Sequence, residues 1–187
     1  FYARSGRRLP SAADRKQVAF SVYDIRIRPG IYYQPHPAFA KRADGTPVYN
    51  NLTKADLRGK RTLNDFPETG TRELEAGDYV YQIKRLAHPR LHSPIAEWMG
   101  NYIVGLNEFQ ETLAQAAARL PRDAWLDLDR FTFDGVQVLD RYTYRIRIRG
   151  VYPQFRYWLA MHFFSPVPRV VDRLFSQPGM ADNNLTL

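Results

Sequence analysis

Two histidines in this sequence have a spacing that could support metal chemistry. His88 and His92 are four residues apart, which on one face of a helix would suit a zinc ion. Pro89 lies between them and interrupts helical geometry, because proline lacks the backbone N–H that a helix needs. The other two histidines, His36 and His162, lie far away in the sequence, and no third ligand is obvious near the pair. The sequence therefore predicts no metal site.

Three carboxylates that could take part in acid–base chemistry lie close together at Glu73, Glu75 and Asp78. They fall where a helix is expected to begin, and the positive end of a helix accounts for acidic residues there. The chain has no cysteine, no glycine-rich phosphate loop and no G-x-S-x-G nucleophile motif. We therefore predict no catalytic residues, no cofactor and no enzymatic activity.

Arginines alternate along two segments that resemble strands. Arg26 and Arg28 lie on the first, and three more arginines lie between 145 and 149 on the second. With a net charge of +8, such a basic face could bind RNA, and a basic nucleic-acid-binding domain is the alternative function. The neighbouring aromatic residues alternate to the other face, so they would not form a stacking platform with the arginines. We favour a solvated face that carries carboxylates such as Asp24, with no nucleic-acid partner.

The helix that these residues surround is the clearest element of the sequence. Its apolar residues recur at helical spacing: Tyr79, Val80, Ile83, Leu86 and Ala87. Asp78 suits the first turn, and Pro89 ends the helix. Lys84 falls outside the apolar stripe, so we expect an exposed charge there and a tolerated Lys84→Ala substitution. Tyr81 also lies outside the stripe.

The remaining elements give an α+β fold. A content of 44% hydrophobic residues indicates a folded core, and the 187 residues suit one domain. Alternation predicts a strand at 18–27, with a bulge or bend where its phase changes, and a β-hairpin at 136–148 with a turn at Asp140-Arg141. Helical periodicity predicts four further helices: one from Ser93, one at 108–119, one through 155–163 and a short one from Pro168. We expect a mainly antiparallel sheet with packed helices.

Residues 72–94 (RELEAGDYVYQIKRLAHPRLHSP) also resemble the signature of a known family. The family is the extracytoplasmic solute-binding proteins of family 5, the peptide-, dipeptide- and nickel-binding receptors of ABC importers. Three other segments are similar to that family and follow in its order: residues 25–31, the hairpin at 136–148 and FFSPVP at 163–168.

This resemblance implies that residues 1–187 are an incomplete first lobe, mostly its smaller subdomain, of a two-lobe periplasmic-binding-protein type II fold. It implies a periplasmic protein that binds a solute, with oligopeptide as the leading class, and delivers it to an ABC permease in the membrane. The second lobe of the same protein would complete the site. Tyr81 matches a tyrosine that can face the ligand cleft in the family, and Tyr32 is a second candidate ligand-binding residue. An exposed surface tyrosine is the other interpretation of Tyr81.

The segment 34–71 departs from the family pattern. It has no sustained periodicity, and its three glycines and four prolines favour turns over helices or strands. The corresponding connection is short in the family. We interpret it as an inserted excursion. A long loop of this kind is often functional, but we favour the simpler interpretation of a decorated surface loop.

Overall fold

Three antiparallel strands form the sheet in this computed structural model, which describes residues 1–122, 124–183 and 185–187. The strands are β1 (Phe20–Arg26), β2 (Val136–Asp140) and β3 (Thr143–Arg149), in the order β1-β3-β2. β3 is therefore central, and its Ile146 and Ile148 are completely buried. The predicted α+β class and antiparallel pairing are confirmed.

The hairpin of β2 and β3 is also confirmed, and its turn is capped by Asp140, whose Oδ1 accepts the N–H of Tyr142 at 2.8 Å. The pairing shifts between Val138 and Asp140, so a bulge lies at Leu139. The predicted bulge in β1 is wrong, because β1 pairs with β3 in one unbroken register. Ser21 takes an inward position and donates to the carbonyl of Gly150 at 2.6 Å, which lets the inward face begin with a small polar residue.

Five α-helices occur in the part of the chain that the structure describes. They are α1 (Ala76–Leu86), α2 (Ala96–Gly100), α3 (Leu106–Ala118), α4 (Phe155–Trp158) and α5 (Arg169–Phe175). Two differ from the sequence prediction. α2 begins after Ile95, later than the expected cap at Ser93, and α4 has a single turn and does not continue to Phe163.

α1 has the start and the buried face that the sequence predicts. The N–H of Glu75 donates to Oδ2 of Asp78 at 3.1 Å, so the first-turn carboxylate caps the helix. Val80, Ile83 and Leu86 are buried beneath the sheet and the neighbouring segments. They belong to the main core, a continuous apolar cluster that also includes residues of β3, α3 and α4.

The segment 34–71 contributes to a second apolar cluster, which we call the second core. Its fully buried members are Leu57, Phe66, Leu174, Met180 and Leu185. The interpretation of 34–71 as a decorated surface loop is wrong for this stretch, because Leu57 is 0% exposed and Phe66 only 2%. The segment packs on α5 and the residues that follow it. Among the helices described here, none has the length and apolarity needed to cross a bilayer.

Candidate functional site

A groove of about 340 Å³ runs along one side of α1, and we call it the α1 groove. Its wall has charged groups of both signs, together with apolar patches from Val80, Val138 and Val170. The charged residues that line it are Arg72, Asp78, Lys84, Asp129 and Arg169. The first turn of α1 opens onto it at Gly77, where the backbone has free space beside it.

Asp78 connects the start of α1 to the groove. Its carboxylate accepts the hydroxyl of Tyr33 at 3.1 Å and the N–H of Glu75, and it also pairs with the guanidinium of Arg72. Burial raises the pKa of Asp78, although the Glu75 N–H and the charge of Arg72 act in the opposite direction. Arg72 Nε is buried and has no acceptor among the described residues, so the groove contains an unpaired donor.

Lys84 is buried at 7% exposure, which makes the predicted exposed charge wrong. Its Nζ donates to the carbonyl of Leu128 at 3.3 Å and lies 3.7 Å from Oδ1 of Asp129. Burial lowers the pKa of Lys84. The turn at Leu128–Arg130 covers the side of α1 that the apolar stripe leaves open, and this contact between distant segments has no local signal in the sequence.

Tyr81 lines the α1 groove but is only 2% exposed, so the alternative of an exposed surface tyrosine is wrong. Its hydroxyl donates to Oδ2 of Asp172 at 2.8 Å. Burial, followed by the charge of Asp172, raises the pKa of Tyr81. The tyrosine is thus a neutral, anchored side chain at the base of the groove, and its contact with a ligand stays a prediction.

The carboxylate of Asp172 on α5 joins three segments, and we call this set of contacts the Asp172 network. Besides Tyr81, it accepts Nε of Arg85 at 3.0 Å and the indole N–H of Trp125 at 2.9 Å. Arg85 also donates to Oε1 of Gln82 at 3.0 Å. The sequence patterns described above do not predict this network. The one signal available was an isolated acidic residue inside the short apolar helix that begins after Pro168.

Tyr32, the second predicted ligand-binding residue, is 63% exposed and does not line the α1 groove. Its backbone pairs with that of Glu73, which leaves the side chain in solvent. The structure therefore does not bring Tyr32 and Tyr81 together in this cavity. The adjacent Tyr33 reaches the groove region, through its hydrogen bond to Asp78.

The arginines of β3 lie on the outer face of the sheet. Arg145 pairs with Asp24 through contacts of 2.6 and 2.8 Å, as predicted for an interleaved carboxylate. Arg147 lies with its guanidinium carbon 4.0 Å from the ring centroid of Phe20. The expectation that aromatic residues avoid this face is therefore wrong at Phe20, which alternates with inward-facing Ser21.

Two of the four histidines accept hydrogen bonds from the backbone. Nδ1 of His88 accepts the N–H of Arg90 at 3.1 Å, and Nδ1 of His36 accepts that of Ala38 at 3.1 Å. Burial lowers the pKa of both imidazoles. Within residues 1–122, 124–183 and 185–187, no group of three or more histidine, cysteine or acidic side chains is arranged to hold a metal ion.

No family model, curated protein or solved structure matches this chain. The α1 groove combines cations, carboxylates and apolar surface, which is an arrangement suited to binding a molecule that carries both charges. Its charged groups are largely paired with one another or with backbone, as at Asp78 and Lys84.

Proposed function

We propose that this chain is part of the first lobe of a periplasmic solute-binding protein that serves an ABC importer. Its solute is an oligopeptide, held between this lobe and a second lobe of the same protein and then delivered to a membrane permease. The observation that carries the proposal is the α1 groove. A peptide has an amine, a carboxylate and apolar side chains, and the groove offers partners for each of them.

The segments that resemble family 5 support the proposal through their packing. Ile27, Ile83, Ile146 and Phe164 come one from each of the four segments, and all four lie in the main core. Segments that are far apart in sequence but similar to one family thus belong to one packed unit. This is the arrangement expected if the resemblance extends through the fold.

The mechanism that follows is closure of two lobes around the solute. The chain described here supplies one open wall, on which Gly77, Val138 and Val170 meet solvent. A peptide on this wall alone keeps water on its other side, and its charged ends lack the further partners that the second lobe would supply. Each unpaired polar group costs about 1–3 kcal/mol when it is desolvated. Binding to the single lobe should therefore be weaker by several powers of ten.

The test is a titration of the 187-residue chain and of the longer two-lobe protein with one mixture of tri- to pentapeptides. Calorimetry measures the dissociation constants of both. NMR on the 187-residue chain locates the weak site, and we expect a Kd of roughly 1 mM or weaker. The amide signals of Gly77, Val80 and Val138 should shift and saturate together.

A matched pair of variants on β2 provides the control. Val138 lines the α1 groove and is 49% exposed, whereas the adjacent Leu139 is 43% exposed and does not line it. Val138→Asp should weaken peptide binding, and Leu139→Asp should leave it unchanged. Equal dissociation constants for the single lobe and the two-lobe protein would contradict a site between lobes. An equal effect of both variants would contradict the α1 groove as its wall.

A further inference from the structure

A second candidate region lies beside α5, between that helix and the segment 37–54. It consists of two adjacent cavities of about 310 and 470 Å³. Asn51, Trp125 and Arg173 line both cavities, so these side chains stand at the junction between them. We call the pair the Trp125 cleft.

The Trp125 cleft has a positive lining. Arg169 and Arg173 line the first cavity, Arg173 and Lys54 line the second, and no described lining residue is acidic. Arg169 is held by two contacts with Asp127, at 2.9 and 2.6 Å, and Lys54 pairs with Asp182 at 3.0 Å.

Arg173 differs from the other two cations. It forms no ion pair with any residue that the structure describes, and its one hydrogen bond is a long contact of 3.4 Å to Oδ1 of Asn51. A guanidinium has five N–H donors, so most of the donor capacity of Arg173 is open to a ligand. Its planar fork matches the two oxygens of a carboxylate.

Trp125 gives the cleft a fixed flat surface beside this cation. Its indole N–H donates to Asp172, which holds the ring in place. The guanidinium carbons of Arg169 and Arg173 lie 4.8 and 5.1 Å from the ring centroid. Cations that pack on an aromatic ring in this way are oriented before a ligand arrives, which reduces the entropy lost on binding.

The loop that carries Asn51 is also held from below by a buried side chain. Gln177 is 4% exposed; its Oε1 accepts the N–H of Leu52 at 2.6 Å, and its Nε2 donates to the carbonyl of Tyr49 at 3.1 Å. Asn51 has a φ of 58°, in the left-handed region that asparagine tolerates better than most residues. The amide of Asn51 is thereby fixed next to Arg173.

The rest of the first cavity is mostly apolar. This part is lined by Pro37, Ala38, Pro47, Val170 and Leu174. A ligand that places an anionic group on Arg173 would therefore have apolar surface for the adjoining part of its structure. The volume of this first cavity, about 310 Å³, is at the lower end of the range for small-molecule sites, which favours a compact ligand.

We propose that the Trp125 cleft binds a small organic carboxylate whose acid group is attached to a flat or apolar moiety. Arg173 and Asn51 hold the carboxylate, and Trp125 and the apolar lining hold the remainder. The Trp125 cleft lies in cavities other than the α1 groove and needs no second lobe. A test of this site is therefore independent of a test of the proposed peptide binding. A free aromatic acid and the carboxyl terminus of a peptide both have this chemistry.

The test is an NMR titration of the 187-residue chain with benzoate, followed at the indole N–H of Trp125 and the amide of Asn51. Both signals should shift and saturate. N-acetyl-alanyl-phenylalanine tests the peptide source, since it presents a carboxyl terminus next to an aromatic ring. Benzamide has the same shape as benzoate without the charge, and it should bind at least 10-fold more weakly.

The variant that removes the proposed anion ligand is Arg173→Gln. A hydrogen bond to a charged group is worth about 1.5–3 kcal/mol, so benzoate should bind about 10- to 100-fold more weakly. Arg173→Lys keeps the charge without the planar fork, so its affinity for benzoate should lie between those of the parent and of Arg173→Gln. The matched control is Arg156→Gln, because Arg156 is an exposed arginine that also packs on an aromatic ring, at 5.2 Å from Tyr157. It should leave the affinity unchanged.

Three results would overturn the proposal: no saturable shift up to tens of millimolar benzoate, benzamide binding as tightly as benzoate, or a folded Arg173→Gln variant with unchanged affinity. The comparison of benzoate with benzamide uses the unaltered chain, so it remains decisive if the Arg173→Gln variant does not fold. Binding of benzoate but not of N-acetyl-alanyl-phenylalanine would support the free acid as the source.

Discussion

The main core and the second core are built in different ways. In the main core, β1, β3, α1 and α3 present regularly spaced side chains, and regular backbone hydrogen bonds hold each element. In the second core, Leu57 and Phe66 come from a segment of turns and short 3₁₀ helices. There, side-chain carboxylates accept backbone N–H groups that would donate to carbonyls in a regular element. Asp56 accepts the N–H of Thr53, and Asp65 accepts that of Thr62, each at 2.8 Å.

This difference explains why the main core could be predicted and the second could not. In a helix or strand, the periodic spacing of apolar residues indicates which face is buried, whereas a turn-rich segment has no such periodicity. Its buried positions depend on where α5 and the chain end lie in space. The second core thus shows that an irregular segment can have its own buried cluster.

The largest effect should come from the link between the two cores. Asp172→Ala removes the carboxylate that pairs with Arg85, whose side chain is only 10% exposed. Leaving a buried charge unpaired costs about 3–5 kcal/mol, so the free energy of unfolding should fall by that amount. Urea denaturation measures it. Asp182→Ala, which breaks the exposed pair with Lys54, should change stability by no more than about 0.5 kcal/mol; a similar loss in both variants would contradict the role of Asp172.

The next comparison deletes one side chain in each core. Ile83 is 1% exposed and Leu57 is 0% exposed, so Ile83→Ala and Leu57→Ala should each lower the free energy of unfolding by about 2–5 kcal/mol. Amide hydrogen exchange should distinguish the two variants. Ile83→Ala should speed exchange throughout the chain, whereas Leu57→Ala should speed it mainly in the second core. If Leu57→Ala exposed the amides of β3 equally, the two cores would form one cooperative unit.

A smaller effect is expected at Lys84. Lys84→Ala leaves the carbonyl of Leu128 without its donor and should cost about 1–3 kcal/mol. The pKa of Lys84 is lower in the folded protein than its ordinary value of 10.5, because burial disfavours the charge. The unfolded chain then binds more protons in the window just below 10.5, so this residue makes stability rise with pH there.

The pH dependence of Lys84 can be isolated with Lys84→Met, which keeps an unbranched apolar side chain and removes the titrating group. Urea denaturation of both proteins at several pH values below 10.5 gives the difference. The free energy of unfolding of the parent, relative to that of Lys84→Met, should increase as the pH rises towards 10.5. A difference that does not depend on pH would show that Lys84 is solvated, as its position outside the apolar stripe predicts.

The smallest effect belongs to the outer face of the sheet. Asp24→Ala should cost about 0.2–1 kcal/mol, because its pair with Arg145 is exposed. The hydrogen bond from Arg145 lowers the pKa of Asp24 below its ordinary value of 3.8. The contribution is therefore present above pH 3.8 and is lost as the pH falls through the folded value. Thermal unfolding should show it, with Asp134→Ala as an exposed control; a larger loss in high salt than in low salt would contradict an ion pair.

Much of the fold could be predicted because its signals are local. The alternation at 136–148 and the stripe of Val80, Ile83 and Leu86 each indicate a buried face without knowledge of the rest of the chain. The site could not be predicted in the same way. Tyr81 and Lys84 look like outward-facing residues on α1, and only the arrival of Asp172 and Leu128 from distant segments buries them. A contact between distant segments produces no periodic pattern in the sequence of either segment.

The Asp172 network also bears on the order in which the chain folds. Its hydrogen bonds to Trp125, Arg85 and Tyr81 span 47, 87 and 91 residues of sequence. Closing loops of this length loses more chain entropy than forming the β2–β3 hairpin, whose strands are adjacent. We expect the hairpin to form early and the network to form after the folding transition state. Loss of Asp172 would then leave the folding rate almost unchanged and accelerate unfolding, so that this one carboxylate sets the lifetime of the native state.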